Sequence, residues 1–260
     1  MRPIRQLLIL AVATIHLVAG GLTVTAFTLR SMRLGQQAFQ IWSRTALRLL
    51  GVRLRVHGRV APGAFLAPNH FSWVDILVLQ AITPATFLSK EEVRDWPVVG
   101  PVAARLGTVF IGPRYGGADR AARALSGRLA SGESVIVFPE GRLNHTSDGI
   151  LPFIARLFRI PQEAQTVVQP VALIYRPRNP AAGLGALVPE HSFLRSIVWL
   201  AGRGVDVDVY LLDPLPVDGR TRGELADAAE QAVAQTLGLP RSRKRKGATT
   251  ADTVAVADPV

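Results

Sequence analysis

The hydrophobic and polar positions of this chain follow one pattern before residue 50 and another after it. Residues 7–29 form an apolar run without a charged side chain. As a helix this run would extend roughly 34 Å, which is enough to cross the ~30 Å hydrocarbon core of a bilayer. Residues 36–50 place apolar side chains at helical spacing, with Arg44 and Arg48 beside them. The pattern therefore predicts an apolar helix followed by an amphipathic one.

Each of these two helices has more than one interpretation. The apolar run fits a membrane anchor, which we favour, a buried helix of a globular domain, or a cleaved signal peptide. The amphipathic segment fits a helix on the membrane interface, with its arginines at the headgroups, and equally a helix packed on a protein core. The neighbouring apolar run favours the membrane slightly. Residues 1–50 are thus predicted to form a membrane anchor and an amphipathic helix.

Beyond residue 51, short apolar runs alternate with helical patterns, which is typical of an α/β fold. The predicted strands are 53–57, 64–67, 86–89, 108–111, 134–138, 167–175 and 205–212. The predicted helices are 72–82, 118–130, 150–158 and 222–237, the last opening with the capping-box pair Thr221 and Glu224. We therefore predict one α/β domain over 51–240, a mostly parallel central sheet flanked by helices. The basic segment 241–260 is predicted to be a disordered tail.

Charge and composition narrow the set of partners. The net charge is +11 and 48% of the residues are hydrophobic. These values favour phospholipid surfaces, phosphate-bearing substrates or acidic carrier proteins. The basic tail has no interleaved aromatic residues, so nucleic acid is not an expected partner. The chain has no cysteine, which excludes disulfides, thiol nucleophiles and cysteine-bound zinc.

The first chemical candidate is a histidine–aspartate pair. The predicted strand 64–67 runs into Asn69 and His70, and Asp75, the first acidic residue of the chain, follows in the next predicted helix. Open α/β sheets bind ligands at the carboxyl ends of their strands. Asp75 could hydrogen-bond to one imidazole nitrogen and leave the other free to accept a proton. Taken alone, a histidine near an aspartate is more often structural than catalytic.

Three further strands end or begin in residues that shape a site. Arg114 follows a predicted strand, where a guanidinium could clamp phosphate oxygens or simply be solvated. The strand 134–138 leads into Glu140-Gly141-Arg142, which is either a functional turn or a surface turn with an exposed ion pair. Pro170 lies in another predicted strand and requires an edge, a bulge or a strand start there.

In this order and spacing, the four blocks resemble the motifs of the lysophosphatidic acid acyltransferase (PlsC-like glycerolipid acyltransferase) family. The resemblance covers about residues 66–174. Its blocks are Asn69-His70 with Asp75, Gly107 to Ile111, Phe138-Pro139-Glu140-Gly141, and Val168-Gln169-Pro170-Val171. Two departures stand out. Arg114 falls one residue later than in the family pattern, and Arg142-Leu143-Asn144 replaces Thr-Arg-Ser. The stretch 146–149 is more similar to the lyso-ornithine lipid acyltransferase branch.

The resemblance implies a membrane-associated O-acyltransferase. The implied reaction moves a fatty acyl group from acyl carrier protein (ACP) or coenzyme A (CoA) to the sn-2 hydroxyl of 1-acyl-glycerol-3-phosphate, making phosphatidic acid in phospholipid biosynthesis. A lyso-ornithine lipid is the alternative acceptor, and a non-catalytic membrane lipid-binding module is a more remote alternative. The expected partners are an anionic phospholipid membrane, the lysolipid and acyl carrier protein. The expected location is the membrane, at the cytoplasmic face of the inner membrane if the protein is bacterial.

The resemblance also assigns roles to residues. His70 would be the general base and Asp75 the carboxylate that orients it. The residues implied in holding the lysolipid headgroup are Asn69, Arg114, Glu140, Gly141 and Arg142. We expect no bound cofactor, since acyl-ACP or acyl-CoA is a substrate, and no metal, since the five histidines show no ligand spacing. His145 lies near the third block and is a weaker candidate for substrate contact.

Overall fold

A seven-stranded sheet organises the chain beyond residue 51 in the computed structural model, which describes residues 2–112, 116–144, 149–187 and 193–241. The strands are β1 (Val52–His57), β2 (Phe65–Pro68), β3 (Thr86–Lys90), β4 (Val109–Ile111), β5 (Val135–Ile136), β6 (Val168–Pro177) and β7 (Val205–Leu211). Their spatial order is β1-β7-β6-β2-β5-β3-β4. Neighbouring strands run parallel, except for the antiparallel pair β6 and β7. The predicted mostly parallel α/β sheet is therefore confirmed, and each predicted strand has a counterpart in it.

Helices precede the sheet and cover both of its faces. They are α1 (Arg2–Thr28), α2 (Met32–Leu49), α3 (Val74–Ile82), α4 (Val99–Arg105), α5 (Gly117–Ala130), α6 (Arg159–Glu163), α7 (Phe193–Arg203) and α8 (Arg222–Leu237). The two N-terminal helices, α3, α5 and α8 lie where the sequence pattern predicts helices. The predicted capping box of α8 is present, with the Thr221 side chain accepting from the Glu224 backbone N–H. The short α4 and α7 were not predicted.

The predicted helix over 150–158 is wrong. The chain is irregular up to Ile154, and a 3₁₀ turn at Ala155–Phe158 then leads into α6. The backbone N–H groups of this segment find partners outside it: Ile150 donates to Pro240 O at 3.1 Å, and Phe153 donates to Glu230 Oε2 at 2.8 Å. Because tertiary partners satisfy these donors, the segment does not need the hydrogen bonds of a helix.

Two hydrophobic layers hold the sheet from its two sides. The first contains residues of α2, α3 and α7, and the second contains residues of α5 and α8. Leu66 of β2 belongs to the first layer, whereas Phe65 and Ala67 belong to the second, and all three are fully buried. A strand covered on both faces must be continuously apolar, as β2 is. The carboxyl end of β2, which leads directly to Asn69 and His70, is therefore rigidly placed.

Helix α1 is apolar and mostly exposed. In the described part of the chain, residues 7–28 of α1 form the one helical segment that is long and apolar enough to cross a membrane, and only 11% of it is buried. The helix packs against α2 where Gly20 meets Trp42. The Trp42 indole Nε1 donates to His16 O at 3.0 Å, and a Cβ on Gly20 would lie 1.9 Å from that nitrogen. Glycine at position 20 is therefore what lets the two helices approach.

Helix α2 belongs to the protein core on one side. Ala46 and Leu47 are 5% and 1% exposed and lie in the first hydrophobic layer with Leu50. Ile41 and Leu49 point outward and are 63% and 51% exposed. Of the two interpretations of this amphipathic segment, packing on the core accounts for its buried face. The exposed residues Ile41 and Leu49 form a smaller apolar surface, which is available to a lipid interface.

Candidate active site

The structure brings His70 and Asp75 together between the end of β2 and the start of α3. The imidazole Nδ1 of His70 lies 2.9 Å from Asp75 Oδ2. The tight connection from Pro68 to Val74 sets this geometry, because it turns a buried strand directly into a buried helix within a few residues. Asp75 is fully buried and the His70 side chain is 17% exposed. The carboxylate is thus inside the protein and the imidazole reaches toward its surface.

Four donors fix the Asp75 carboxylate. Besides the imidazole, the backbone N–H groups of Phe71 and Ser72 donate to Oδ2 at 2.7 and 2.8 Å, and the Tyr175 hydroxyl donates to Oδ1. A buried anion is tolerated only where such partners replace water. An anionic acceptor at Nδ1 holds the proton on that nitrogen, so Nε2 is left as the basic nitrogen of His70.

An aromatic ring stacks on one face of the His70 imidazole. Phe138, from the segment after β5, lies parallel to it with ring centroids 3.7 Å apart. The ring also lines a cavity of about 200 Å³ at the carboxyl edge of β2 and β6. A fixed ring with a basic nitrogen beside a cavity can accept a proton from a bound hydroxyl.

Glu140 is buried next to the pair, and protein donors occupy both of its oxygens. The His70 backbone N–H donates to Oε1 at 2.8 Å, while Leu151 N and Asn144 Nδ2 each donate to Oε2 at 3.0 Å. Burial raises the pKa of the Glu140 carboxyl above its usual value, and these hydrogen bonds offset that effect only in part. Glu140 thus ties the His70 backbone to the segment around Leu151.

The other predicted site residues have different surroundings. Asn69 uses its side-chain amide to replace a backbone partner of β6: its Oδ1 accepts from Leu173 N at 2.7 Å and its Nδ2 donates to Leu173 O at 3.2 Å. Gly141 has φ +72°, and a Cβ there would lie 2.7 Å from Ile154 Cδ1, so the turn after Glu140 requires glycine. Substrate binding by Asn69 and Gly141 stays a prediction.

Of the two predicted arginines, only Arg142 lies in the described part of the chain. Arg142 is exposed, and within the described chain it has no hydrogen-bond or ion-pair partner. Arg114 lies outside the described residues, as do His145 and the tail beyond Arg241. Arg241 itself is tied to α8 through ion pairs with Glu230 at 2.6 Å and Asp227 at 3.1 Å. A headgroup role for Arg114 and Arg142 stays a prediction.

The cavity beside His70 is polar at one end and apolar at the other. Its lining residues are Asn69, His70, Phe71, Glu140, Asn144, Ile150, Leu173, Ile174, Tyr175, Leu184, Leu237 and Leu239. Leu237 is the last residue of α8 and Leu239 follows it, far along the chain from the motifs. None of the described lining residues is a lysine or an arginine. A ligand with a reactive polar group and an aliphatic portion fits this distribution.

The sequence alone assigns no role to three residues that the structure places in the site. Tyr175, Phe138 and Asn144 contact Asp75, His70 and Glu140 respectively. A signal existed for Tyr175, because a tyrosine at the end of a buried strand must place its hydroxyl against a polar partner. Nothing in the sequence identifies Asp75 as that partner, since the two residues are 100 positions apart.

An α/β fold with a carboxylate-oriented histidine beside a partly apolar cavity is compatible with proton-transfer chemistry on a lipid-like substrate, and comparisons with known proteins identify the class of enzyme. Residues 53–174 match the family model described as Acyltransferase. A lyso-ornithine lipid O-acyltransferase of Pseudomonas aeruginosa is 33% identical over 242 residues, covering 89% of this chain and 93% of that protein. A 1-acyl-sn-glycerol-3-phosphate acyltransferase of Neisseria gonorrhoeae is 39% identical over 135 residues, which cover 50% of this chain and 52% of that protein.

A solved structure shares the fold. The crystal structure of the 1-acyl-sn-glycerophosphate acyltransferase PlsC from Thermotoga maritima matches with a TM-score of 0.70 and 23% sequence identity, covering 92% of this chain and 97% of that one. The match to the Pseudomonas aeruginosa relative shows that the chain belongs to the family of glycerolipid and lysolipid acyltransferases, and the solved structure shows that it has the PlsC-like fold. This confirms the family resemblance and the assignment of the chain as an acyltransferase.

Proposed function

We propose that this protein acylates the free hydroxyl of a lyso-ornithine lipid, using His70 as general base. The observation that carries the chemistry is the buried Asp75 carboxylate bonded to His70 Nδ1, with the ring edge at a cavity. The observation that favours this acceptor is the extent of the matches. The relatives named lyso-ornithine lipid O-acyltransferase from Pseudomonas aeruginosa and Brucella abortus match over 89% and 75% of this chain.

The proposed transfer needs no covalent enzyme intermediate. His70 Nε2 takes the proton of the acceptor hydroxyl while the oxygen attacks the thioester carbonyl carbon. Asp75 stabilises the imidazolium that forms. A carbon–oxygen bond forms, the carbon–sulfur bond breaks, and the leaving thiolate receives the proton from His70. General-base help of this kind contributes a factor of about 10²–10⁴ in rate.

The lining of the cavity supports a zwitterionic acceptor. A phosphomonoester headgroup calls for cationic side chains, whereas the described lining contains the acid Glu140 and no lysine or arginine. Ornithine is a diamino acid, so a lipid built on it can carry an ammonium group that tolerates a neighbouring acid. The sequence alone places 1-acyl-glycerol-3-phosphate first; we propose the reverse order because of the extent of the matches, with which the described lining is compatible.

1-Acyl-glycerol-3-phosphate is the second candidate acceptor. Its support is the 39% identity to the Neisseria gonorrhoeae relative across half of this chain, which is higher than the identity to either longer match. Under this alternative the product is phosphatidic acid, and Arg114 and Arg142 would hold the phosphate.

We further propose that the enzyme works at an anionic membrane surface and draws its donor from acyl-ACP or acyl-CoA. The exposed apolar segment 7–28 supports membrane attachment. The net charge of +11 supports attraction to anionic lipid and to an acidic carrier. We propose the cytoplasmic face because both thioester donors are made in the cytoplasm.

The acceptor assay tests the proposal. The purified full-length protein in mixed anionic vesicles is given each lysolipid in turn, with acyl-ACP or acyl-CoA, and products are measured by mass spectrometry. We expect kcat/KM at least ten times higher for the lyso-ornithine lipid, and loss of transfer in His70→Ala. A higher kcat/KM for 1-acyl-glycerol-3-phosphate would show that this lysolipid, and not the lyso-ornithine lipid, is the acceptor.

Three other outcomes would overturn more than the identity of the acceptor. Wild-type transfer by His70→Ala would exclude the general-base mechanism. Release of free fatty acid without an acceptor would indicate a hydrolase. Binding of both lysolipids without turnover would support a lipid-binding module.

A further inference from the structure

Tyr175 is a buried residue of β6, and its side-chain hydroxyl contacts the His70–Asp75 pair. It is 9% exposed, and its hydroxyl donates to Asp75 Oδ1, the oxygen that does not face His70. Burial and the neighbouring Asp75 carboxylate raise the pKa of the Tyr175 hydroxyl well above its usual value. The hydroxyl is therefore protonated throughout the working pH range and acts as a donor to the carboxylate.

The sheet, and not the loop that carries His70, determines where this hydroxyl lies. Tyr175 is paired with Val207 of β7 in the antiparallel ladder, and its ring packs against Phe71 with centroids 5.0 Å apart. Two residues earlier in β6, Leu173 binds the amide of Asn69 through both its N–H and its carbonyl. One strand thus holds both ends of the segment that runs from Asn69 to Asp75.

The two Asp75 oxygens have unequal surroundings. Oδ2 accepts from His70 Nδ1 and from the backbone N–H groups of Phe71 and Ser72. Among the described residues, the Tyr175 hydroxyl is the donor to Oδ1. Without it, one oxygen of a fully buried carboxylate would lack a partner, and the carboxylate could rotate about its bond to Cβ.

We infer that Tyr175 is a positioning residue for acyl transfer. It holds Asp75 in the orientation that pairs Oδ2 with His70. It also weakens the attraction between Asp75 and the imidazolium, so that the imidazolium gives up its proton more easily. The inference rests on the proposed role of His70 as general base. A hydroxyl that donates to Oδ1 draws charge away from Oδ2. The imidazolium then gives its proton to the leaving thiolate more readily than it would beside an unshared carboxylate.

This role has a pH signature whose sign follows from the geometry. The titratable groups that face His70 in the described structure are Asp75 from α3, Tyr175 from β6 and Glu140 from the turn after β5. Removing the Tyr175 hydroxyl leaves more negative charge on Oδ2, which favours the imidazolium. The acid limb of the kcat/KM profile should therefore move to higher pH by roughly half a unit.

The test compares Tyr175→Phe with two reference variants in the vesicle assay. Tyr210→Phe is the matched control, because Tyr210 lies in β7, stacked on His57 at 4.3 Å and away from the pair. We expect Tyr175→Phe to lower kcat about 5- to 50-fold with acceptor KM within a factor of two, and to show the shifted acid limb. Tyr210→Phe should match the wild type, and His70→Ala should be inactive.

A double-mutant cycle separates positioning from a loss of stability. If Tyr175 acts through Asp75, adding Tyr175→Phe to Asp75→Asn should change kcat less than about twofold. Equal losses in both backgrounds, or an acid limb that does not move, would overturn the inference while leaving His70 as base. Activity in His70→Ala would instead overturn the proposed mechanism on which it rests.

Discussion

Replacing Asp75 by asparagine separates the charge of this residue from its orienting function. The amide oxygen can take the place of Oδ2 and accept from His70 Nδ1, Phe71 N and Ser72 N, which lie 2.7 to 2.9 Å away. The amide NH₂ then faces the Tyr175 oxygen and donates to it. The three bonds to Oδ2 are thus kept, the bond to Tyr175 reverses its direction so that the Tyr175 O–H loses its acceptor, and the negative charge is lost.

The expected effects on stability and on rate differ widely. Four hydrogen bonds to an anion become neutral and weaken by about 1 kcal/mol each, but the cost of burying the anion, several kcal/mol, disappears. We therefore expect the free energy of unfolding to fall by no more than about 2 kcal/mol, or a Tm decrease of about 4–8 °C. The rate should fall by about 10²–10³, because the imidazolium loses its counter-charge in a buried site.

Thermal unfolding and single-turnover transfer, measured on the same preparation, check this expectation. Asp119→Asn serves as the control, since Asp119 is exposed and pairs only with Arg159 in the described structure. If Asp75→Asn keeps more than a third of the wild-type rate, the Asp75 charge plays no part in catalysis. If the loss in free energy of unfolding is as large as the increase in activation free energy calculated from the rate, Asp75 is a structural residue.

Glu140→Gln should lower the free energy of unfolding by about 1–3 kcal/mol at neutral pH, because the amide NH₂ must face a backbone or side-chain donor. Chemical denaturation measures this change, with Glu92→Gln as the control because Glu92 is exposed. Since the folded pKa of Glu140 is raised, its contribution to stability is present below pH 4.5 and lost as the pH rises through the folded value. The stability of Glu140→Gln should lack this pH-dependent contribution, and a stability–pH profile identical to that of the wild type would contradict the raised pKa of Glu140. Gly20→Ala should displace the Trp42 indole and weaken the attachment of α1, seen as a change in tryptophan fluorescence and vesicle binding. Gly127→Ala, with no atom within 4 Å of its Cβ, should be silent.

The order of strands and helices was largely readable from the sequence because it depends on local patterns. Strands buried on both faces are continuous apolar runs, and α8 is bounded by a capping box that begins at Thr221 and by the C-cap glycine Gly238. The segment 150–158 was misread for the opposite reason. Its apolar pattern is compatible with a helix, but Pro240 and Glu230, which are distant along the chain, satisfy its backbone.

The sequence by itself determined the class of enzyme, because its four motif blocks follow one another in order over about residues 66–174, and it predicted His70 and Asp75 as the central pair. Only the tertiary structure decided what surrounds them. Tyr175 and Glu140 contact the pair from separate elements, and the end of α8 lines the cavity beside it; their positions depend on strand register and layer packing. Such contacts leave no periodic trace along the chain, since they are set by which buried surfaces fit together in space.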